Sequence, residues 1–367
     1  MAEEISNIEK SSHLKSWLET LVQQSGSDLY LVEGLPPTIR AASRLLQISS
    51  DNLDGDGIEA EVLPVLRPTM AENFRSGASS IDASIQVPGL GRFRINLHRE
   101  RGRAAVTIRA IPVRPPRLSE LNLPSNIEGL TRLPHGLVLV GGPTGSGKTT
   151  TLAALVDEIN RRDNKHIITI EDPIEYDHQH IKSVIEQVEI GVDAPDFPTA
   201  LRAALRQCPD VIVVGEMRDP ETMRIAVTAG ETGHLVFSTL HTADVTSTVS
   251  RVSDSFPLER QNTIRNELSM ALAAVMTQKL LPRVGGGRVP AAELLMLSYG
   301  ARQHIRKNSL QHLHQEITMT RNLGSFTFEE SLVALVKAGR IEPDQARGRT
   351  IHTEELDTLL RGIAGRS

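Results

Sequence analysis

Gly142-Pro143-Thr144-Gly145-Ser146-Gly147-Lys148-Thr149 meets the phosphate-binding P-loop pattern at every fixed position. The apolar stretch Leu137 to Val140 precedes it, and Thr149 to Asn160 reads as a helix behind it. Strand, glycine-rich turn and helix in that order make a phosphate cradle. The glycines let backbone N–H groups converge on a β-phosphate, and the helix N-terminus adds positive potential. In such a loop Lys148 reaches the β- and γ-phosphates, and the Thr149 hydroxyl is a ligand for Mg2+. The expected nucleotide contacts are therefore Gly142, Pro143, Thr144, Gly145, Ser146, Gly147, Lys148, Thr149 and Thr150.

Downstream, short apolar runs alternate with helical patterns. His166 to Ile170, Val211 to Val214 and Leu235 to Thr239 read as strands; Pro198 to Arg206 and Pro220 to Ala229 read as helices. Strand–helix alternation with continuous apolar strands predicts an α/β fold, a mostly parallel sheet covered on both faces. From about Ala291 the chain reads as helices punctuated by Gly339 and Pro343, with Arg347-Gly348-Arg349 and Gly362 to Ser367 loose.

Upstream lies a different texture. Leu14, Trp17, Leu18, Leu21 and Val22 form one apolar helical stripe between a Ser12 cap and a Gly26 stop. Asp28 to Val32, Ser80 to Val87, Gly91 to Leu97 and Ala104 to Ile108 read as strands, and Asp51 to Gly57 as a turn-rich loop. This is a small α+β domain ending near Pro112. The prolines in Val113-Arg114-Pro115-Pro116-Arg117 make the following linker extended and stiff.

The C-terminal ends of parallel strands form the ligand crevice in such sheets, so residues there are the site candidates. Asp210-Val211-Ile212-Val213-Val214-Gly215-Glu216 is an apolar strand ending in an acid, and Glu216 is the general-base candidate. Glu171 follows another strand and is placed to ligate metal or orient a nucleophile; Glu175 reads as surface. His234 and His241 bracket a third strand, a pattern that suits a phosphate sensor. Eight arginines lie between Arg92 and Arg117; in Arg92-Phe93-Arg94-Ile95-Asn96-Leu97 the alternation puts both arginines on one face. Arginines on a rigid strand can stabilise phosphoryl-transfer charge.

Composition narrows the choice. The 367 residues carry 40 Lys+Arg against 45 Asp+Glu, a net charge of −5, which argues against nucleic acid as the main partner. Aromatic residues are only 3 %, so stacking platforms for single strands or sugars are nearly absent. The single Cys208 excludes a disulfide framework and a cysteine-clustered zinc site. Met1 to Lys10 is polar, so no signal peptide is expected, and no apolar run approaches the ~18–20 residues of a membrane span. A cytoplasmic protein of two or three domains is expected.

The ordered motifs resemble those of the secretion/pilus motor ATPase superfamily, most closely its PilT-like pilus-retraction subgroup. The likeness rests on Ser27-Asp28-Leu29, Pro36-Pro37, Arg92 to Asn96, the P-loop, His166 to Glu175, Pro209 to Asp219 and Gly230 to Thr242. It implies a PAS-like N-terminal domain (1–112), a linker (113–121), a RecA-like P-loop NTPase core (122–290) and a helical C-terminal region (291–367). It further implies a homohexamer binding ATP and Mg2+, with Thr149, Glu171 and Glu216 at the metal. Arg92, Arg94 and Arg109 would engage phosphates, and Glu216, Glu171, His234 and His241 would match the catalytic glutamate, the Asp-box acid and the His-box histidines. The implied partners are an inner-membrane pilus platform protein, met at the cytoplasmic face of the membrane, and paralogous motor ATPases. Membrane contact would run only through such partners.

Extension and type II secretion motors resemble the same core but are longer and carry a four-cysteine zinc motif. The chain departs from the retraction pattern at Val188, Gln207-Cys208, Ser238 and Ala301 to Lys307. A secretion or assembly ATPase, a weakly hydrolysing regulatory paralogue and a nucleic-acid motor are the competing expectations.

Overall fold

The chain forms two compact units, one of Met1–Arg114 with Glu175–Asp177 and one of Pro115–Ile174 with His178–Ser367. The computed structural model describes residues 11–364 apart from Ser43 and Val113. The polar stretch Met1 to Lys10, linker residue Val113 and residues 365–367 lie outside the described residues.

The first unit opens with α1 (Ser12–Gln23), whose Leu14, Leu18 and Leu21 are fully buried. The cap is Ser11 rather than Ser12, and the chain leaves the helix at Gln24. Six strands follow: β1 (Asp28–Leu31), β2 (Thr38–Ala41), β3 (Arg44–Gln47), β4 (Ser80–Val87), β5 (Gly91–Glu100) and β6 (Arg103–Ile111). They form an antiparallel sheet in the order β3-β2-β1-β6-β5-β4. Between β3 and β4 run α2 (Gly55–Val62) and α3 (Pro68–Arg75). The expected loop Asp51 to Gly57 is therefore only half loop. The Asp54 side chain accepts a hydrogen bond from the Gly57 N–H at 2.6 Å and starts α2 there, because a carboxylate satisfies an otherwise orphaned first-turn donor.

The second unit holds seven strands: β7 (Gly136–Gly141), β8 (His166–Glu171), β9 (Val184–Glu189), β10 (Val211–Val214), β11 (Leu235–Leu240), β12 (Leu272–Pro282) and β13 (Arg288–Met296). Their order is β13-β12-β7-β11-β10-β8-β9, parallel throughout except for the β12–β13 pair. Alternate residues feed two separate cores. Leu137, Leu139, Ile212 and Val214 pack into one, while Val138, Val140, Val211 and Val213 pack into the other. Burial on both faces is why these strands read as unbroken apolar runs. The α/β expectation holds.

Helices α4 (Lys148–Arg162), α5 (Phe197–Ala204), α6 (Pro220–Glu231), α7 (Val245–Asp254) and α8 (Leu258–Ala271) connect these strands. After β13 come α9 (Tyr299–Arg306), α10 (Leu313–Met319), α11 (Phe328–Lys337), α12 (Pro343–Arg347) and α13 (Thr353–Ala364). The expectation of helices from Ala291 is corrected by β13, which pairs with β12 over nine residues. Ala, Leu and Glu favour helix locally, but the ladder offered by β12 overrides that preference. Gly362, expected to be loose, lies inside α13. Among the described residues no helix is long and apolar enough to cross a membrane.

Candidate nucleotide site

All strands from β12 to β9 point the same way, so their C-terminal ends share one edge of the sheet. Along that edge stand the P-loop after β7, His241 after β11, Glu216 after β10 and Glu171 closing β8. The sequence of strands, rather than the sequence of residues, brings these groups together.

The loop is built around two constrained glycines. Gly142 (φ +154°) and Gly147 (φ +88°) adopt backbone conformations that side chains disfavour. A Cβ on Gly142 would come within 2.6 Å of the Gln278 carbonyl oxygen, and one on Gly147 within 2.9 Å of Gln278 Nε2. Gln278, on β12, thus sets the floor of the loop. Its Nε2 donates to the Ser146 carbonyl at 2.7 Å, and its Oε1 accepts from Thr151 Oγ1 at 2.8 Å. Gln278 was not anticipated from the sequence. The available signal was a single amide in the apolar run Leu272 to Leu281, since a buried polar side chain needs partners.

Lys148 is 7 % exposed and folds back across the loop. Its Nζ donates to the carbonyl oxygens of Gly142 (2.8 Å) and Pro143 (3.0 Å). Ser146, 2 % exposed, has an Oγ with no hydrogen-bond partner. A buried hydroxyl left over in a ring of backbone donors suits an anionic oxygen. Pro143, Thr144 and Gly145 are exposed at the loop tip; Thr149 and Thr150 are half-buried in the first turn of α4.

A polar line crosses from the loop to the neighbouring strand ends. Thr144 Oγ1 lies 3.4 Å from His241 Nδ1, and His241 Nε2 lies 3.5 Å from Glu216 Oε2. The other Glu216 oxygen is ion-paired with Arg218. The Gly215 N–H donates to the Ile170 carbonyl at 2.8 Å and its carbonyl accepts from Thr239 Oγ1 at 2.6 Å, which fixes the backbone that carries Glu216. Glu171 lies one strand further; its Oε1 accepts from Thr169 Oγ1 (2.7 Å) and Gln187 Nε2 (3.1 Å). Glu175 is exposed, as expected.

His234 is a correction. It precedes β11 and so occupies the opposite edge of the sheet, where its carbonyl accepts from the Gly136 N–H at 2.9 Å. Six strand residues lie between it and His241, a separation of about 23 Å at ~3.3 Å per residue. Only His241 of the pair stands beside the P-loop of its own chain.

The arginines belong to the first unit. Phe93, Ile95 and Leu97 are buried, and Arg92, Arg94 and Asn96 share the opposite face of β5. Arg92 Nη2 donates to Ser84 Oγ at 2.9 Å, and Arg94 Nη2 stands 3.5 Å from Asp82 Oδ1. Arg109 faces Arg94 across the β5–β6 ladder. Its Nε donates to Oδ1 of buried Asp28 at 2.8 Å, a contact that anchors it to β1.

A mostly parallel sheet, a P-loop and acids at the neighbouring strand ends define a P-loop nucleotide hydrolase. The family model for type II/IV secretion system proteins matches residues 105–335. The type IV pilus retractation ATPase PilT of Pseudomonas aeruginosa is 41 % identical over 325 residues, 89 % of this chain and 94 % of that protein. The twitching motility protein of Neisseria gonorrhoeae is 40 % identical over 343 residues, 93 % of this chain and 91 % of that protein. A crystal structure of the pilus retraction motor PilT with bound ADP superposes with a TM-score of 0.85 at 40 % identity, covering 93 % of this chain and 98 % of that one. The chain belongs to the type II/IV secretion system protein family, and within it is a nucleotide-binding ATPase of the pilus-retraction type.

Proposed function

We propose that this chain hydrolyses MgATP to drive retraction of a type IV pilus. The observation that carries the chemistry is the line Thr144–His241–Glu216, which ties the P-loop to a strand-end carboxylate. Glu216 acts as the general base, taking on its carboxylate the proton of the water that attacks the γ-phosphorus. His241 holds that carboxylate in line with the loop, and Arg218 balances its charge until water enters. Lys148 exchanges its two carbonyl partners for phosphate oxygens, and the backbone N–H groups of Thr144, Gly145 and Gly147 with Ser146 Oγ complete the cradle. Thr149, with Glu171 and Glu216, would hold Mg2+ at the phosphates. Mg2+ supplies charge neutralisation there when bound.

Arg92 and Arg94, displayed on one strand face, with Arg109 opposite Arg94 and held by Asp28, are the arginines offered to the nucleotide in an assembled homohexamer. In this reading the domains are the N-terminal 1–112, the linker 113–121, a core from 122 that extends past the expected boundary at 290 to include β13, and a helical C-terminal region after it. The hexamer works at the cytoplasmic face of the inner membrane on a pilus platform protein, alongside paralogous motors.

Two measurements test this. Phosphate release by the purified chain should disappear in Lys148→Ala, and in Glu216→Gln it should fall while ADP binding persists. Cells lacking the gene should carry more surface pili; cells without pili would instead mark an assembly motor and overturn the retraction role.

A further inference from the structure

The C-terminal helices enclose chemistry that ATP hydrolysis does not use. A cavity of about 580 Å³ is walled by Asp244 at the start of α7 and by His314, Phe328, Glu329, Thr350 and His352. His314 on α10, Glu329 on α11 and Glu355 on α13 bring one ligand atom each to within 4.8 Å of one another.

The two carboxylates are held in the same manner. Glu355 Oε1 accepts from Thr327 Oγ1 at 3.2 Å, and Glu355 Oε2 faces His314 Nε2 at 3.2 Å. Glu329 Oε1 accepts from Thr350 Oγ1, while Glu329 Oε2 is buried with no hydrogen-bond partner, in a residue only 1 % exposed. Each carboxylate therefore has one oxygen fixed by a threonine hydroxyl; the second oxygen faces His314 in Glu355 and is buried without a hydrogen-bond partner in Glu329. The His314 ring is itself fixed, stacked on His352 at 4.2 Å between centroids. Outer groups that orient ligating side chains in this way are a regular part of metal sites. A buried carboxylate oxygen without a hydrogen-bond donor calls for either a cation or a proton.

We propose that His314, Glu329 and Glu355 form a binding site for a divalent transition-metal ion of the zinc class, clipping α10, α11 and α13 together. One imidazole with two carboxylates suits such an ion better than Mg2+, which prefers an all-oxygen octahedral shell and retains water. Ligand atoms around an ion at ~2.1 Å stand ~3–3.5 Å apart, so small side-chain rotations close the present cluster.

The test uses the full-length chain, stripped with chelator and free of nucleotide. Zinc is titrated against a fluorescent chelator while thermal melting is followed. The expected result is about one tightly bound zinc per chain and a higher Tm, with no effect of Mg2+ at the same concentration. Glu329→Gln and Glu355→Gln should each weaken zinc binding at least ~10-fold, and His314→Gln combined with Glu329→Gln should abolish the rise in Tm. ADP binding by each variant reports that it is folded. Two results would overturn the site. One is equal zinc uptake by wild type and the double variant, which places the metal on other histidines. The other is a wild type indifferent to zinc with Glu329→Gln more stable in chelator, which makes Glu329 a buried protonated acid.

Discussion

The two sheets solve the problem of presenting charge in opposite ways. Along β5 the antiparallel sheet buries one face, so Phe93, Ile95 and Leu97 point inward and Arg92, Arg94 and Asn96 lie on the other face. The parallel sheet buries both faces, and β7, β10 and β11 have no polar face to offer. Its chemistry is confined to strand ends: the P-loop, His241, Glu216 and Glu171. A face can display a row of like charges, but it displays them wherever the pleat falls. An edge collects unlike groups from distant parts of the chain and holds them by the ladder beneath. The first arrangement suits charge offered to a partner; the second suits a reacting centre.

Substitutions at the edge should alter turnover without altering stability, and substitutions under the face should do the reverse. The largest effect is expected of Glu216→Gln, a fall in phosphate release of roughly 10²–10⁴-fold with unchanged Tm; a lowered Tm would break the contrast. Phe93→Ala removes a fully buried ring beneath the arginine face and should cost about 3–5 kcal/mol in urea melts of the intact chain. Gln278→Ala should blur the contrast, because it leaves Thr151 and the Ser146 carbonyl without partners. About 1–3 kcal/mol of stability and a weaker ADP affinity should be lost together, the second measured by titration calorimetry. Asp28→Asn takes the charged partner from Arg109, whose side chain is mostly exposed. Solvent screening limits the stability loss to about 1 kcal/mol, while phosphate release should slow if the arginine face serves the nucleotide.

The finest test is a slope. Burial pushes the Glu293 carboxyl above its usual range, against opposing hydrogen bonds from Thr277 Oγ1 and the Val245 N–H. The native chain then keeps a proton that the unfolded chain has lost. Stability should fall as pH rises from the ordinary glutamate range through the raised folded value. Urea melts across that range should show a shallower fall in Glu293→Gln.

The core strands were legible because burial on both faces writes them as plain apolar runs, and the P-loop because its glycines and lysine have fixed spacing. The strand Leu272–Pro282 escaped notice since its alanines, leucines and methionine suit a helix equally well; pairing with β7, far away in sequence, decides the matter. Helix α2 hid in a stretch of Asp and Gly whose one informative residue was the cap Asp54. In the site, strand-end reasoning located Glu216, Glu171 and His241. His234 entered with the His-box likeness, and the parallel direction of β11 relative to β7 puts it at the edge away from the loop. Gln278 lies 132 residues from the carbonyl it holds, a separation no local pattern can bridge.

That same amide has an evolutionary consequence. Position 147 is restricted by the Gln278 side chain and position 142 by the Gln278 backbone carbonyl, as well as by any phosphate, so the loop and β12 are inherited as one unit. A lineage that replaced Gln278 with a smaller residue would relax the steric demand on Gly147 and lose the strut under Ser146 at the same moment. Drift at positions 147 and 278 should be correlated, and a P-loop grafted without its glutamine should arrive incomplete.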